Sequence, residues 1–152
     1  MNKLVLKIYE LDYLIDFLPK LKLVDYESRM RSRFYKLLLT RYQQFLEEKE
    51  EVIKECAEIG EDGKPVMTTI DEDKSGIKIK DYVKFQNSML ELSNEEYIVE
   101  IDDNNHKMIK TVTKNILNCG LSFEGDESLL YDEICEKFEQ LEFEGDDNEQ
   151  TN

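Results

Sequence analysis

The chain has 152 residues, a length that suits one compact domain able to bury roughly two-thirds of its unfolded surface without disulfides or metals. Its 35 acidic residues against 20 basic ones leave a formal charge of −15, which opposes general binding to nucleic-acid backbones. Three cysteines, one histidine and six glycines leave few parts for a metal cage, a phosphate-cradling loop or a thiol relay, so no cofactor is expected.

Lys3 to Tyr9 alternates and is β-branched, which predicts a short strand; Leu11, Leu14, Ile15 and Leu18 then follow a helical step that Pro19 ends. From Tyr26 to Ile59 apolar residues recur three or four apart at Met30, Phe34, Leu37, Leu38, Tyr42, Phe45, Val52, Cys56 and Ile59, with a gap from Glu47 to Glu51. This predicts one amphipathic helix of about 32 residues and about 48 Å, longer than a domain of this size is wide. Its far half must protrude or find a partner, and a homo-oligomer formed through it stays open. Within the chain the simplest partner is Asp81 to Leu92, packed back antiparallel, with Tyr82, Val83, Met89 and Leu90 at helical spacing. Between the two helices, Val66 to Ile70 reads as a strand, Asp71 to Gly76 as a loop and Ile77 to Ile79 as a return strand. A helical hairpin with a β-hairpin tip is therefore expected over about 26–92.

Tyr97 to Ile101 predicts a strand able to pair with the N-terminal one, even though Ser93 and Glu96 have the spacing of a helix capping box. Met108, Ile109, Val112, Ile116 and Leu117 mark a second amphipathic helix that stops near Gly120. A third begins beyond Gly125, with Asp126 as its expected cap, and carries Leu129, Leu130, Ile134, Cys135, Phe138 and Leu141 opposite an acidic face. Fold class is thus α+β and helix-dominated: a long helix in a helical hairpin, a short β-hairpin and two C-terminal helices, in a single domain over 1–143. Residues 144–152 read as a disordered acidic tail, too poor in apolar surface to offset the entropy of ordering.

Asp12, Asp16 and Lys20 interrupt the early apolar stretch, so no run approaches the ~20 residues of a membrane span. The first seven residues lack the apolar core of a secretory signal. A cytoplasmic protein without membrane contact is expected. Cys56, Cys119 and Cys135 are far apart and odd in number, which fits buried reduced thiols.

Candidate chemistry is sparse. Asp71-Glu72-Asp73-Lys74-Ser75-Gly76 places oxygens and a glycine as calcium loops do, but Lys78 and Tyr82 stand where an apolar residue and a bidentate Glu are required. His106 has no cysteine or serine arranged around it and reads as a solvated residue starting a helix. Ser122 lies in no nucleophile elbow. An enzyme is not expected.

Charge is steeply polarised. Residues 1–46 hold nine basic and five acidic residues, 47–119 ten and eighteen, and 120–152 one and twelve. Within Ser28-Arg29-Met30-Arg31-Ser32-Arg33-Phe34, Arg29 and Arg33 share a helical face beside Met30 and Phe34 and form a two-arginine clamp, while Arg31 points elsewhere. Guanidinium groups hold carboxylates bidentately, so the expected occupant is the acidic C-terminal helix of the same chain, or else an acidic partner.

The Ser28 to Phe34 run followed by Lys36-Leu37-Leu38, the charged helix into Gly60 to Pro65, Met108 to Val112 and the ending Tyr131 to Glu136 together resemble a small family carried by phages and prophages of Gram-positive bacteria. The resemblance spans about residues 1–140. It implies a phage origin and a bacterial cytoplasm and brings no catalytic residues with it. The expected function is a non-enzymatic interaction module, accessory or host-directed, that docks on a phage or host protein through its long helix and acidic surface, with Arg29, Arg33, Glu133, Glu136 and Glu139 as candidate contacts. The alternative is an inhibitor that mimics nucleic acid in the basic channel of a host defence nuclease.

Overall fold

The computed structural model describes residues 2–143, so the tail expected over 144–152 lies outside the described residues. Strand β1 (Lys3–Lys7) opens the chain and pairs antiparallel with β4 (Glu96–Glu100), Lys3 opposite Glu100 and Lys7 opposite Glu96. Leu4, Leu6 and Val99 turn into the core, which is the half-buried alternation of a one-sided sheet. The strand is shorter than the 3–9 expected, because Ile8 and Tyr9 belong to helix α1 (Ile8–Phe17). The physical reason is local: Glu10 Oε1 accepts the Lys7 backbone N–H at 2.8 Å, satisfying a donor at the helix start that a longer strand would leave outside.

Pro19 sits in a 3₁₀ turn, Leu18–Lys20, that closes α1. Helix α2 (Asp25–Cys56) then runs for 32 residues, about 48 Å at 1.5 Å per residue. Met30, Phe34, Leu38 and Phe45 face the core from its first two-thirds. Beyond Phe45 only Cys56 of α2 is buried, and it lies apart from the main core. The far third of α2 therefore protrudes, as the sequence requires.

At its end the chain folds into the expected β-tip, formed by β2 (Met67–Asp71) and β3 (Lys74–Ile77) in antiparallel register. The turn is tighter than the Asp71 to Gly76 loop expected from sequence. Asp71 Oδ1 accepts the Asp73 N–H at 3.0 Å, so Glu72 and Asp73 alone reverse the chain and Lys74, Ser75 and Gly76 join the ladder. The linker leaving α2 is stitched between both strands' bases by Val66 N–H to Glu58 C=O at 2.8 Å and Glu58 N–H to Lys78 C=O at 2.9 Å.

Helix α3 (Tyr82–Ser93), capped by Asp81 Oδ1 on the Lys84 N–H at 3.1 Å, returns along α2 and completes the helical hairpin. None of its residues is buried; Met89 and Leu92 pack at the core's edge. After β4, α4 (His106–Leu117) buries Met108, Ile109, Val112, Thr113 and Ile116, and α5 (Gly125–Glu139) buries Ile134, Cys135 and Phe138. The expected Asp126 cap is corrected: Glu124 occupies the cap position and makes no side-chain capping bond. Gly125, at φ +62°, turns the chain one residue earlier, which leaves Asp126 and Glu127 in the first turn, where their charge suits the helix dipole. The described residues form five α-helices, with 59% helix overall, around one core that gathers α1, the near part of α2, α4, α5 and the β1–β4 sheet. None of these helices is long and apolar enough to cross a membrane.

Candidate interaction surfaces

Outside the core, exposed apolar side chains gather on the arm built by the far end of α2, the β-tip and α3. Ile59, Met67, Ile70 and Ile77 are exposed at the tip, Ile70 to 68%, and Tyr82, Val83 and Leu90 are exposed on α3. Residues 46–88 carry twelve acidic residues and seven lysines around these side chains, with Leu90 just beyond. Glu58 pairs with Lys78 at 2.9 Å and Glu55 with Lys84 at 3.5 Å. Both pairs are solvated and brace the arm only weakly. The result is an anionic projection studded with aliphatic groups.

The two-arginine clamp is not closed by the C-terminal helix. Arg29 and Arg33 lie on the exposed face of α2, and among the described residues neither takes part in an ion pair or a side-chain hydrogen bond. The internal pairing expected from charge fails for a packing reason: α5 meets α2 through apolar side chains, Phe138 edge-on to Phe34 at 6.1 Å, and those point inward while the two arginines point out. Arg31, which sequence reasoning set aside, is the arginine with a structural task. Its Nη1 donates to the Leu18 and Leu21 carbonyls at 2.9 and 2.7 Å and so ties α2 to both ends of the 3₁₀ turn that follows α1. The pointer in the sequence is Pro19 itself, which stops the helix and sets the turn that Arg31 reaches.

Glu136 and Glu139 are exposed on α5, together with Asp132, as an acidic outer face. Glu133 differs: its Oε2 accepts the Tyr9 hydroxyl at 2.7 Å. That bond holds the Glu133 carboxyl below the usual range and pushes the Tyr9 hydroxyl up to about 12. A carboxylate with a depressed value stabilises the fold above its ordinary value of 4.5 and loses that contribution as pH falls through its folded value. Tyr9→Phe is accordingly expected to cost about 1 kcal/mol near pH 7, to move the Glu133 titration upward in an NMR pH series, and to match the parent's stability at acid pH.

Beside this pair lies Glu10, the one buried acidic side chain among the described residues. Glu10 is 0% exposed and receives the Lys7 N–H and the Lys137 ammonium on Oε1, while Oε2 is buried without a hydrogen bond. Burial first, and then the adjoining Glu133 carboxyl, raise its titration above the usual carboxylate value, against the opposing Lys137 and Lys7 donors. Sequence reasoning missed this node; the available signal was Lys137, the sole basic residue after Lys114. The node ties the start of α1 to α5.

Other candidates resolve structurally. His106 opens α4 half-buried, at the edge of an open cavity of about 400 Å³ shared with Asp102, Asp103, Asn2 and Phe143. Cys56, Cys119 and Cys135 are free thiols; Cys56 and Cys135 are buried, and Cys119 is half-buried with Sγ 3.5 Å from the Tyr131 hydroxyl. That hydroxyl donates to the Ile116 carbonyl at 2.6 Å and closes the end of α4. Among the described residues no group of three or more His, Cys, Asp or Glu side chains is arranged to hold a metal ion. Compared with protein-family models, curated proteins and solved structures, the chain matches none of them.

Proposed function

We propose that this chain is a non-enzymatic protein-interaction module that docks through its arm onto a partner with a cationic, partly apolar surface. The observation that carries this reading is the mismatch between α2 and the core: the helix continues eleven residues past Phe45, where core packing ends, and delivers exposed Met67, Ile70 and Val83 to the end of an acidic projection. Exposed aliphatic groups at the end of such a projection cost solubility and serve packing only when another surface covers them. The resemblance to a phage and prophage family supplies the setting, a phage or host protein as partner in a bacterial cytoplasm.

A second reading, mimicry of nucleic acid on a defence nuclease, is favoured by the exposed acids Asp132, Glu136 and Glu139 on α5. The two readings separate by site and by steepness of the salt response. If the arm docks, Ile70→Asp combined with Val83→Asp abolishes retrieval of the partner from infected cells while Glu136→Gln with Glu139→Gln leaves it intact. If α5 mimics a phosphate backbone, Glu136→Gln with Glu139→Gln abolishes it instead, and parent binding falls steeply with ionic strength.

A further inference from the structure

The β1–β4 sheet has one covered edge and one open edge. Ile8 N–H bonds the Glu95 carbonyl at 3.1 Å and Ile101 N–H the Asn2 carbonyl at 3.1 Å, which sets the phase of the ladder between them. Tyr97 and Val99 therefore direct their backbone groups at β1, while Glu96, Ile98 and Glu100 direct theirs away from it. On the β1 side the outward edge is occupied: the Lys7 N–H is taken by Glu10, and α5 packs against the strand. On the β4 side the Glu100 carbonyl is taken by Asn105 Nδ2 at 2.8 Å, and the N–H and C=O of Ile98 have no partner among the described residues. The Ile98 side chain is 49% exposed, flanked on the same face by exposed Glu96 and Glu100.

We infer that the free edge of β4 is a strand-addition site for an extended protein segment in which two basic residues flank an apolar one at alternate positions. The occupant is specified by charge. On the covered side, β1 meets Glu96, Ile98 and Glu100 with Lys7, Val5 and Lys3, so the sheet already displays the matching pattern once. A second copy of β4 centred on Ile98 would set Glu96 opposite Glu100 twice, which like charges oppose. Residues 144–152 carry four acids and no base and are equally mismatched. A basic strand pairs its backbone with Ile98 and neutralises both carboxylates together. This site is separate from the arm and stands or falls independently of it.

The test uses the full chain and a fluorescent peptide containing Lys-Thr-Val-Thr-Lys, with Glu-Thr-Val-Thr-Glu as control, in anisotropy titrations. The basic peptide is expected to bind at least tenfold more tightly than the control and to lose at least tenfold when its valine is N-methylated. Ile98→Pro removes only an outward N–H, which edge strands tolerate, and is expected to lose binding with an unchanged circular-dichroism spectrum. Should that variant misfold, Glu96→Lys with Glu100→Lys is expected to reverse the peptide preference. Equal binding of both peptides, or full binding by the N-methylated peptide, overturns the inference. So does a concentration-dependent dimer in sedimentation that Glu96→Lys alone strengthens, because a single reversal sets opposite charges face to face across a self-paired edge and would assign that edge to a second copy.

Discussion

Replacing Lys137 with methionine is expected to destabilise the protein by about 3 kcal/mol at pH 8, measured by urea unfolding. Glu10 is fully buried, its Oε2 has no hydrogen bond, and Lys137 is the ammonium that meets its Oε1. Methionine preserves much of the packing volume and leaves the carboxylate without a counter-charge, the case in which removing one partner costs most. The deficit is expected to shrink toward pH 5. A carboxyl whose folded value lies above 4.5 binds its proton more readily folded than unfolded, so its contribution to stability grows as pH falls through the folded value and is lost as pH rises. Without Lys137 that value rises further, and protonation relieves more of the cost. Glu10→Gln in the Lys137→Met background should recover most of the loss at pH 8, since a neutral amide needs no ammonium. A deficit that stays flat from pH 5 to pH 8 would place the cost in packing rather than charge.

Phe34→Ala is expected to cost 3–5 kcal/mol, because a fully buried ring leaves both its transfer energy and a cavity behind. The ring stands edge-on to Phe138, 72° between planes, and joins α2 to α5 at the centre of the core. Against a total of roughly 5–15 kcal/mol for a domain, this is a drop on the order of 10 °C in Tm. Leu46→Ala, twelve residues further along the same helix and exposed, should stay within about 0.5 kcal/mol. Calorimetry on the two variants therefore locates the end of the core; similar losses at both positions would mean that the arm is packed more tightly than its exposure indicates.

The elements legible in the sequence are those written in long periodicities. Met30, Phe34, Leu38 and Phe45 repeat over enough turns that α2 and its excess length follow from spacing alone, and the alternation of β1 and β4 carried their pairing. What was not legible depends on a single atom finding a distant partner. Glu10 looks like a surface acid at the start of a helix until the fold brings Lys137 to it across 127 positions. Arg29, Arg31 and Arg33 look alike as a run; only the break at Pro19 decides that Arg31 is consumed by carbonyls and the others remain in solvent. Bulk charge asymmetry suggested that the basic α2 start and the acidic α5 would pair, but the two helices meet through apolar side chains, so the net charge of a segment did not report which of its faces would touch. The free edge of β4 has no one-dimensional mark at all, since it follows from which neighbours the other helices happen to cover.

The halt of core packing at Phe45 divides one continuous helix between two regimes of cooperativity. Residues up to that ring pack into the main core, whereas the stretch from Leu46 to Ser88 is held by a small contact at buried Cys56 and Ala57, the lean of α3 on α2, solvated ion pairs and a two-stranded ribbon. Such a stretch can open as its own foldon, at lower free energy than the body. A partner docking there as proposed would have to offset the entropy of ordering that foldon, with the body staying folded as its anchor.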